Sequence, residues 1–207
     1  MISTLEQLRA LYPLPAERPR LKQMAQLDRH ARRFISLSPF CVLASAGAAG
    51  QWLDASPRGG APGFVHTPDE HTLLLPDSSG NNRLDTLQNL VQDPRIGLLF
   101  MIPGVDETLR VNGQARLRDE AEFTRRFAEG RQPPKLVIEV RVQEAYLHCA
   151  KAFMRSRLWR PEAQQPRSVL PTLGEMLHDQ IGLATAPESQ AQMVARYQAQ
   201  LQQEGLG

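Results

Sequence analysis

The segment 107–117 constrains the fold of this chain more than any other, because its apolar and polar residues alternate strictly. The apolar or small positions are Leu109, Val111, Gly113, Ala115 and Leu117, and the polar positions between them are Arg110, Asn112, Gln114 and Arg116. Successive side chains of a β-strand point to opposite faces, so this period of two predicts a strand with one buried and one polar face. The chain must therefore contain a sheet with a core on one side.

Further segments have the composition of strands and are separated by turn residues. They are residues 40–45, 53–56, 71–75, 94–102 and 135–142, with turns predicted at 47–50 and 67–70. Strands that alternate with turns and only short helices favour an antiparallel barrel over a parallel sheet. No glycine fingerprint of a dinucleotide-binding fold is present. The predicted fold class is mainly β with flanking helices.

The chain of 207 residues, 42% of them hydrophobic, is long enough to bury one core and too short for two well-packed domains. We predict an N-terminal helix and linker at 1–20, a barrel domain at 21–160 and a C-terminal helical extension at 161–207 that packs on the barrel or on a partner. Helical spacing of apolar residues predicts helices at 21–37, 119–130, 146–159, 173–183 and 187–204.

The stretch 54–100 carries the first candidate binding motif. A predicted strand at 53–56 breaks into Pro57, Arg58, Gly59 and Gly60. Glycines let backbone amides approach a ligand, and the guanidinium of Arg58 offers a fork of donors suited to phosphate. Taken alone, the same pattern is typical of a β-bulge or a hairpin turn with a solvated arginine.

A second motif is the polar run 78–83, which precedes Leu84, Leu87, Leu90 and Val91 at helical spacing. Asn82 is predicted to be the N-cap of this helix, with Asp85 three positions later. The free amides of a helix start, with Arg83 beside them, form a natural seat for an anion. By itself this motif describes an ordinary capped helix with a surface arginine equally well.

A third motif lies in the predicted helix 146–159. Spacing places His148, Lys151 and Arg155 near one side, and it places Trp159 four residues after Arg155 on a shared face. A basic cluster with an aromatic neighbour suits an anionic ligand. The alternative is a solvated basic helix that Trp159 anchors by packing.

The order of these motifs resembles the pyridoxamine 5′-phosphate oxidase-like family of FMN-binding split barrels. The strand with polar and arginine residues, the polar helix start and the strand beginning Pro94-Arg95 carry the resemblance, together with residues 107–113, 148–152 and 155–159. It covers residues 34–159 and is nearest to the subgroup of FMN-dependent flavoproteins without assigned substrate. It implies a six-stranded antiparallel split β-barrel and a homodimer with FMN between the subunits.

The resemblance also implies which residues contact FMN. Arg58 and Arg83 would bind the phosphate or the polar edge of the flavin, and Lys151 and Trp159 would complete the site from the same or the second subunit. Arg110 and Asn112 would reach the flavin or the dimer interface, although a solvated strand face is an equal reading. The full predicted set is Ser56, Arg58, Gly59, Asn81, Asn82, Arg83, Arg110, Lys151, Arg155, Ser156 and Trp159.

The function that the resemblance implies is an FMN-dependent oxidoreductase with an unassigned substrate and no evident catalytic acid or base. The alternatives are a flavin- or haem-binding module without turnover and a deazaflavin-dependent reductase. The C-terminal arginine–histidine segment of true pyridoxamine 5′-phosphate oxidases has no counterpart here, where residues 157–161 read RLWRP. Oxidation of pyridoxamine phosphate is therefore not implied.

Composition bounds the partners and the compartment. The net charge of +2, from 24 basic and 22 acidic residues, argues against a nucleic-acid-binding surface. Cys41 and Cys149 have no partner at a metal or dithiol spacing and are predicted to be buried free thiols in a reducing compartment. The N-terminus lacks a secretory pattern and no run is long enough to span a bilayer, so we expect a cytoplasmic protein. His66 and His71 lack a third ligand for a metal.

Overall fold

A computed structural model describes residues 1–48, 50–78, 80–128, 132–182 and 184–205, apart from the side chain of Pro19. Six strands form one antiparallel sheet in the order β2-β1-β4-β5-β6-β3. The strands are β1 (Phe40–Ala46), β2 (Leu53–Gly59), β3 (Thr72–Pro76), β4 (Arg95–Met101), β5 (Thr108–Arg118) and β6 (Val137–His148). The predicted six-stranded antiparallel sheet with flanking helices is confirmed.

The described part of the chain contains eight helices. They are α1 (Leu5–Leu11), α2 (Glu17–Leu21), α3 (Arg29–Leu37), α4 (Asp85–Gln92), α5 (Ala121–Thr124), α6 (Lys151–Ser156), α7 (Leu173–Ile181) and α8 (Gln190–Gln203). Short 3-10 turns lie at Arg125–Phe127, Pro161–Ala163 and Arg167–Val169. None of the helices among the described residues is both long enough and apolar enough to cross a lipid bilayer.

The sheet has a core face and an outer face. The core face carries the fully buried side chains of β1, β4, β5 and β6. Leu27, just before α3, covers this face together with Ile35 of α3 and with Leu87 and Leu90 of α4. The alternation predicted for 107–117 is confirmed, since Leu109, Val111 and Ala115 are buried while Arg110 and Asn112 lie on the outer face. A smaller apolar cluster under α5 contains Leu74, Phe123, Phe127 and Val137.

A β-bulge interrupts the ladder between β5 and β6. Asn112 pairs with Glu144 but the next residue, Gly113, pairs with Val142, so β6 carries one extra residue here. A Cβ atom on Gly113 would lie 2.3 Å from the carbonyl oxygen of Arg141. Only glycine therefore allows the two strands to approach this closely.

The predicted helix 21–37 is too long at its N-terminal end. Helix α3 begins at Arg29, because the carboxylate of Asp28 caps it and accepts a hydrogen bond of 2.8 Å from the amide of Ala31. Met24 instead forms a bridge with Ala145 of β6. The linker predicted before residue 20 contains the short helix α2.

The predicted helix 146–159 is also wrong in its first part. Residues up to His148 continue β6, where His148 pairs with Thr108, and only Lys151–Ser156 is helical. The predicted helix 119–130 starts two residues late, at Ala121, where Glu120 is the N-cap and makes no side-chain hydrogen bond. The predicted end of that helix, at Gly130, lies outside the described residues.

Helices α7 and α8 form a C-terminal pair in the regions of the predicted helices 173–183 and 187–204. Helix α8 begins three residues later than predicted, at Gln190, and Leu183 lies outside the described residues. Capping boxes at Thr172 with Glu175 and at Ser189 with Gln192 start the two helices. A Cβ atom on Gly174 would lie 2.4 Å from the carbonyl oxygen of Glu188, so the two elements are in close contact. Whether this pair packs on the sheet or on a partner stays a prediction.

Candidate functional site

Strand β2 presents three polar side chains toward the core side of the sheet. The predicted break at Pro57 is wrong, because β2 continues through Arg58 to Gly59. As β2 is an edge strand, the missing amide hydrogen of Pro57 is tolerated there. Arg58 pairs with Cys41 and Ser56 pairs with Leu43, and since both partners are in the core, Ser56 and Arg58 lie on the core face.

Asp54 lies on the same face of β2 and links the strand to α4. Its carboxylate accepts hydrogen bonds of 2.9 and 3.0 Å from the hydroxyl of Ser56. It accepts a third bond, of 2.7 Å, from the hydroxyl of Thr86, which is buried in the first turn of α4. We call Asp54, Ser56, Arg58, Thr86 and Arg83 the β2 cluster.

The start of α4 has no side-chain cap. Asn82, the predicted N-cap, has a φ of 59° and lies outside the helix, while the actual N-cap, Leu84, has the same φ and caps nothing with its side chain. The side chain of Asn81 accepts a hydrogen bond of 3.1 Å from the amide of Arg83. The short polar side chain of Asn82 tolerates this left-handed conformation better than that of Leu84. No side chain therefore caps the first-turn amides of α4, which have no acceptor within the helix itself.

The apolar face of α4 is narrower than predicted. Leu87 and Leu90 are buried, but Leu84 is half exposed and Val91 is 75% exposed. The helix therefore contacts the core through one turn and leaves its N-terminal end at the surface.

Arg83 lies over an open cavity beside β2. Its Nε donates a hydrogen bond of 2.8 Å to Asp85, which raises the pKa of Arg83, and its side chain is 72% exposed. The cavity has a volume of about 310 Å³ and is lined by Gln51, Trp52, Leu53, Asp54, Arg83, Asp85, Gln88, Asn89 and Gln92. Trp52, which precedes β2, lies at the rim of this cavity and is 94% exposed.

Arg58 lies at the other end of β2. Because it follows Asp54 by four residues of extended strand, the two residues are about 13 Å apart along the backbone. Its Nη1 donates a hydrogen bond of 2.8 Å to the carbonyl oxygen of Pro57. Burial raises the pKa of Asp77, and the charges of Arg58 and Lys135 partly oppose this. Burial likewise raises the pKa of the Cys41 thiol to about 12, against the effect of Arg58.

A smaller cavity lies at this Arg58 end of β2. It has a volume of about 170 Å³ and is lined by Gly59, Gly60, Ala61, Pro62, Gly63, Phe64, His66, Pro76 and Ser78. The polar face of β2 therefore has a cavity near each of its ends, with Arg58 toward one end and Arg83 toward the other.

Arg110 does not join this group within one chain. It pairs with Leu99 of β4 and Tyr146 of β6, between the core residues Leu109 and Val111, so it lies on the outer face. The predicted contact residues Ser56 and Arg58 lie on the opposite face. We call Lys22, Arg110, Tyr146 and His148 the outer-face cluster.

The outer-face cluster is basic and aromatic. The guanidinium carbon of Arg110 lies 4.4 Å from the centroid of the Tyr146 ring, and Nζ of Lys22 lies 5.0 Å from it. Lys22 also donates a hydrogen bond of 2.9 Å to the carbonyl oxygen of Leu147. The rings of Tyr146 and His148 are 4.9 Å apart. Burial, and then the charges of Arg110 and Lys22, lower the pKa of His148.

The remaining predicted residues lie on or after α6. Lys151, Arg155 and Ser156 are exposed, and the Ser156 hydroxyl donates a hydrogen bond of 3.1 Å to the carbonyl oxygen of Phe153. The helix ends at Arg157, whose φ of 54° turns the chain away.

Trp159 is therefore not on a helix and does not share a face with Arg155, contrary to the prediction. Its ring stacks on that of Phe153, with centroids 5.3 Å apart. Its Nε1 donates a hydrogen bond of 2.9 Å to the carbonyl oxygen of Val105, in the loop between β4 and β5. The residue anchors the segment after α6 at this end of the sheet.

Five residues of these clusters are absent from the predicted set of FMN contacts, namely Lys22, Asp54, Thr86, Tyr146 and His148, of which His148 was noted only in the third motif. The alternation along β2 would have placed Asp54 with Ser56 and Arg58, had Pro57 not suggested a turn. Lys22 and Thr86 reach their clusters through tertiary contacts, for which the sequence gives no signal.

Two other predictions concern metals and thiols. Within the described ranges, no group of three or more His, Cys, Asp or Glu side chains is placed to hold a metal ion. Cys41 is buried as predicted, whereas Cys149 is exposed, because it follows the end of β6.

A curled six-stranded antiparallel sheet with helices over one face is the architecture of the split β-barrel class. The family model described as pyridoxamine 5′-phosphate oxidase matches residues 27–149, more than half of the chain. The chain belongs to this family, as the resemblance of its motifs indicated.

Several solved structures are similar to the chain at low sequence identity. HupZ from Group A Streptococcus is 20% identical, with a TM-score of 0.47 over 57% of this chain and 90% of that chain. A protein from Lactobacillus delbrueckii described as a possible pyridoxamine 5′-phosphate oxidase is 14% identical, with a TM-score of 0.47 over 59% and 95%. An F420 reductase is 12% identical, with a TM-score of 0.41 over 56% and 94%. No curated protein matches the chain.

Proposed function

We propose that this protein binds FMN and acts as an FMN-dependent oxidoreductase, with the cofactor phosphate at the β2 cluster. Members of the family generally bind a flavin or haem. The observation that carries the proposal is the uncapped start of α4, which the bond between Thr86 and Asp54 holds beside the polar face of β2. Free amides at a helix start favour an anion, and a phosphate supplies one.

The donors around this helix start fit a phosphate monoester. Arg83 supplies a guanidinium group, Ser56 a hydroxyl, and Asn81 and Asn82 amides, while Arg58, at the opposite end of β2, would contact the polar edge of the flavin. Arginine and backbone amides are the usual donors to phosphate oxygens. The guanidinium of Arg83 pairs with Asp85 in this structure. To bind the phosphate, it would exchange the carboxylate oxygen of Asp85 for a phosphate oxygen. Gly59, at the end of β2, gives a backbone approach without a side chain.

The outer face offers the surface for the proposed homodimer. Val42 and Leu99 are paired neighbours on this face and are half-buried, and Leu53 is 82% exposed at its edge. A second copy on this face would bring Arg110, Lys151, Arg155, Ser156 and Trp159 toward the flavin of its partner. Bound flavin supplies hydride or electron transfer, and these residues would orient the ring and stabilise its charge.

The first test is the visible absorption spectrum of the purified protein, with mass spectrometry of the small molecule that heating releases. We expect flavin bands and the mass of FMN. A deazaflavin or haem spectrum would replace FMN with the corresponding cofactor. A colourless protein that does not take up added FMN would contradict the proposal.

The residue assignment is tested by titrating FMN into Arg58→Met and Arg83→Met, with Arg116→Met as the matched control. Arg116 is exposed on the outer face of β5, away from the β2 cluster. We expect each of the first two variants to lose about tenfold or more in FMN affinity, since each removes charge-assisted hydrogen bonds worth roughly 1.5–3 kcal/mol. Parental affinity in both variants would refute the phosphate seat.

A further inference from the structure

The outer-face cluster holds two permanent cations without an acidic partner. No carboxylate of the described residues forms an ion pair with Lys22 or Arg110. The carboxylate on the same face, that of Glu144, accepts a hydrogen bond of 3.0 Å from the side chain of Asn112. The cluster thus differs from an ordinary surface arrangement, in which opposite charges alternate.

Arg110 is also incompletely hydrogen-bonded. Its Nε is buried and has no hydrogen-bond partner among the described residues. The stacking of its guanidinium on Tyr146 fixes the side chain in place but satisfies none of its N–H donors. An oxyanion is the chemical group that accepts several such donors at once.

Three segments of the chain bring the residues of the outer-face cluster together. Arg110 comes from β5, Tyr146 and His148 come from the end of β6, and Lys22 comes from the segment after α2. Lys22 is held there by its bond to the carbonyl oxygen of Leu147. Neutral imidazole at His148 can gain a proton when a negative charge arrives, which would add a third cation to the site.

We propose that the outer-face cluster is a second anion-binding site, which takes the phosphate or carboxylate group of a small molecule other than the FMN phosphate. The site goes beyond the proposed cofactor seat, because Arg110 lies on the face of the sheet opposite to Ser56 and Arg58. In this proposal Arg110 binds an anionic substrate or effector and not the phosphate of FMN. An anion there is paired with Arg110 and Lys22 and supplies the missing acceptor for the Arg110 guanidinium.

The test is an NMR titration of the full-length protein, which follows the pKa of His148 in inorganic phosphate, in acetate and in sodium chloride of equal ionic strength. His148→Gln identifies its signal among those of the five histidines. We expect phosphate or acetate to raise the pKa of His148 beyond the effect of sodium chloride, and the stronger of the two identifies the anion class. If both have only the effect of sodium chloride, the site does not exist.

Arg110→Met and Lys22→Gln are the site variants, and Arg116→Met is the control on the same face of β5. We expect roughly tenfold weaker binding of the anion in the site variants and none of this loss in the control. FMN affinity should be unchanged in Lys22→Gln, since Lys22 is not one of the proposed FMN contacts. If phosphate and FMN compete and Lys22→Gln weakens both, the outer-face cluster belongs to the cofactor site, which overturns the second site and leaves the proposed FMN function standing.

Discussion

The β2 cluster and the outer-face cluster both contain basic side chains, but these side chains have different partners in the two clusters. In the β2 cluster Asp54 accepts from Ser56 and Thr86, and Arg83 donates to the neighbouring Asp85. In the outer-face cluster Arg110 and Lys22 lie near the Tyr146 ring and form no ion pair with a carboxylate of the described residues. A paired cluster is stable alone and can exchange a partner for a ligand, whereas an unpaired one depends on charge supplied from outside.

The largest expected effect distinguishes the two faces on which these clusters lie. Leu98→Ala removes a fully buried side chain from the core face and should lower the free energy of unfolding by about 3 kcal/mol. Leu99→Ala, one residue along β4 on the outer face, should cost about 1 kcal/mol or less in a single chain. Guanidinium denaturation of the two variants measures both values. Equal losses at any protein concentration would show that both faces are buried within one chain.

The same pair sharpens the dimer proposal. If a second copy covers the outer face, the stability lost in Leu99→Ala should be larger at protein concentrations at which the parent protein is dimeric, because association then contributes to the free energy of unfolding. The loss in Leu98→Ala should change less. Light scattering that shows one chain for the parent protein with its cofactor bound would contradict the dimer.

A smaller effect is expected from the link between β2 and α4. Thr86→Val keeps the shape of a buried side chain but removes the hydroxyl that donates to Asp54. Loss of a hydrogen bond to a charged group should cost about 1–2 kcal/mol. FMN affinity should fall as well, because the start of α4 would no longer be held beside β2. Ser36→Ala, which removes an exposed hydroxyl from α3, is the control and should change the stability by less than about 0.5 kcal/mol.

The sequence predicts the sheet better than it predicts the site. Strict alternation identified both faces of β5, because burial of one face imposes that period directly. Pro57 obscured the same alternation in β2, since whether proline interrupts a strand depends on whether that strand is at the edge of the sheet. The start of α4 was misplaced because Asn82 is a good cap in isolation, whereas Leu84 acquires its left-handed conformation from the surrounding loop.

Local spacing also could not assign the predicted residues to faces. Arg58 and Arg110 both have the composition of ligand contacts, and only the strand register shows that they lie on opposite sides of the sheet. Likewise, the four-residue spacing of Arg155 and Trp159 has meaning only if the helix continues, and it ends at Ser156. Such relations depend on long-range pairing, which composition and periodicity do not encode.

Titratable groups beside the two clusters should change the stability in opposite directions with pH. The first is Asp77, which lies near enough to Arg58 for that charge to affect its pKa. Burial raises its pKa above 3.8, so the folded protein holds this proton at pH values where the unfolded chain releases it. Its contribution to stability is present at low pH and is lost as the pH rises through the folded pKa. Asp77→Asn should remove this loss and make the protein slightly more stable at pH 7. A less stable Asp77→Asn would show that the attraction to Arg58 outweighs the burial of the carboxylate.

His148 should show the opposite slope and the smallest effect, because its side chain is only half-buried. Its pKa lies below the ordinary value of 6.5, so between the two values the unfolded chain binds more protons than the folded protein. Stability should therefore fall as the pH is lowered through 6.5, and His148→Gln should flatten the profile in this range. Arg110→Met should flatten it in part, since it removes one of the two repelling charges. Saturating phosphate should have the same effect on the parent protein if the outer-face cluster binds it, because the bound anion would offset the repulsion from Arg110 and Lys22.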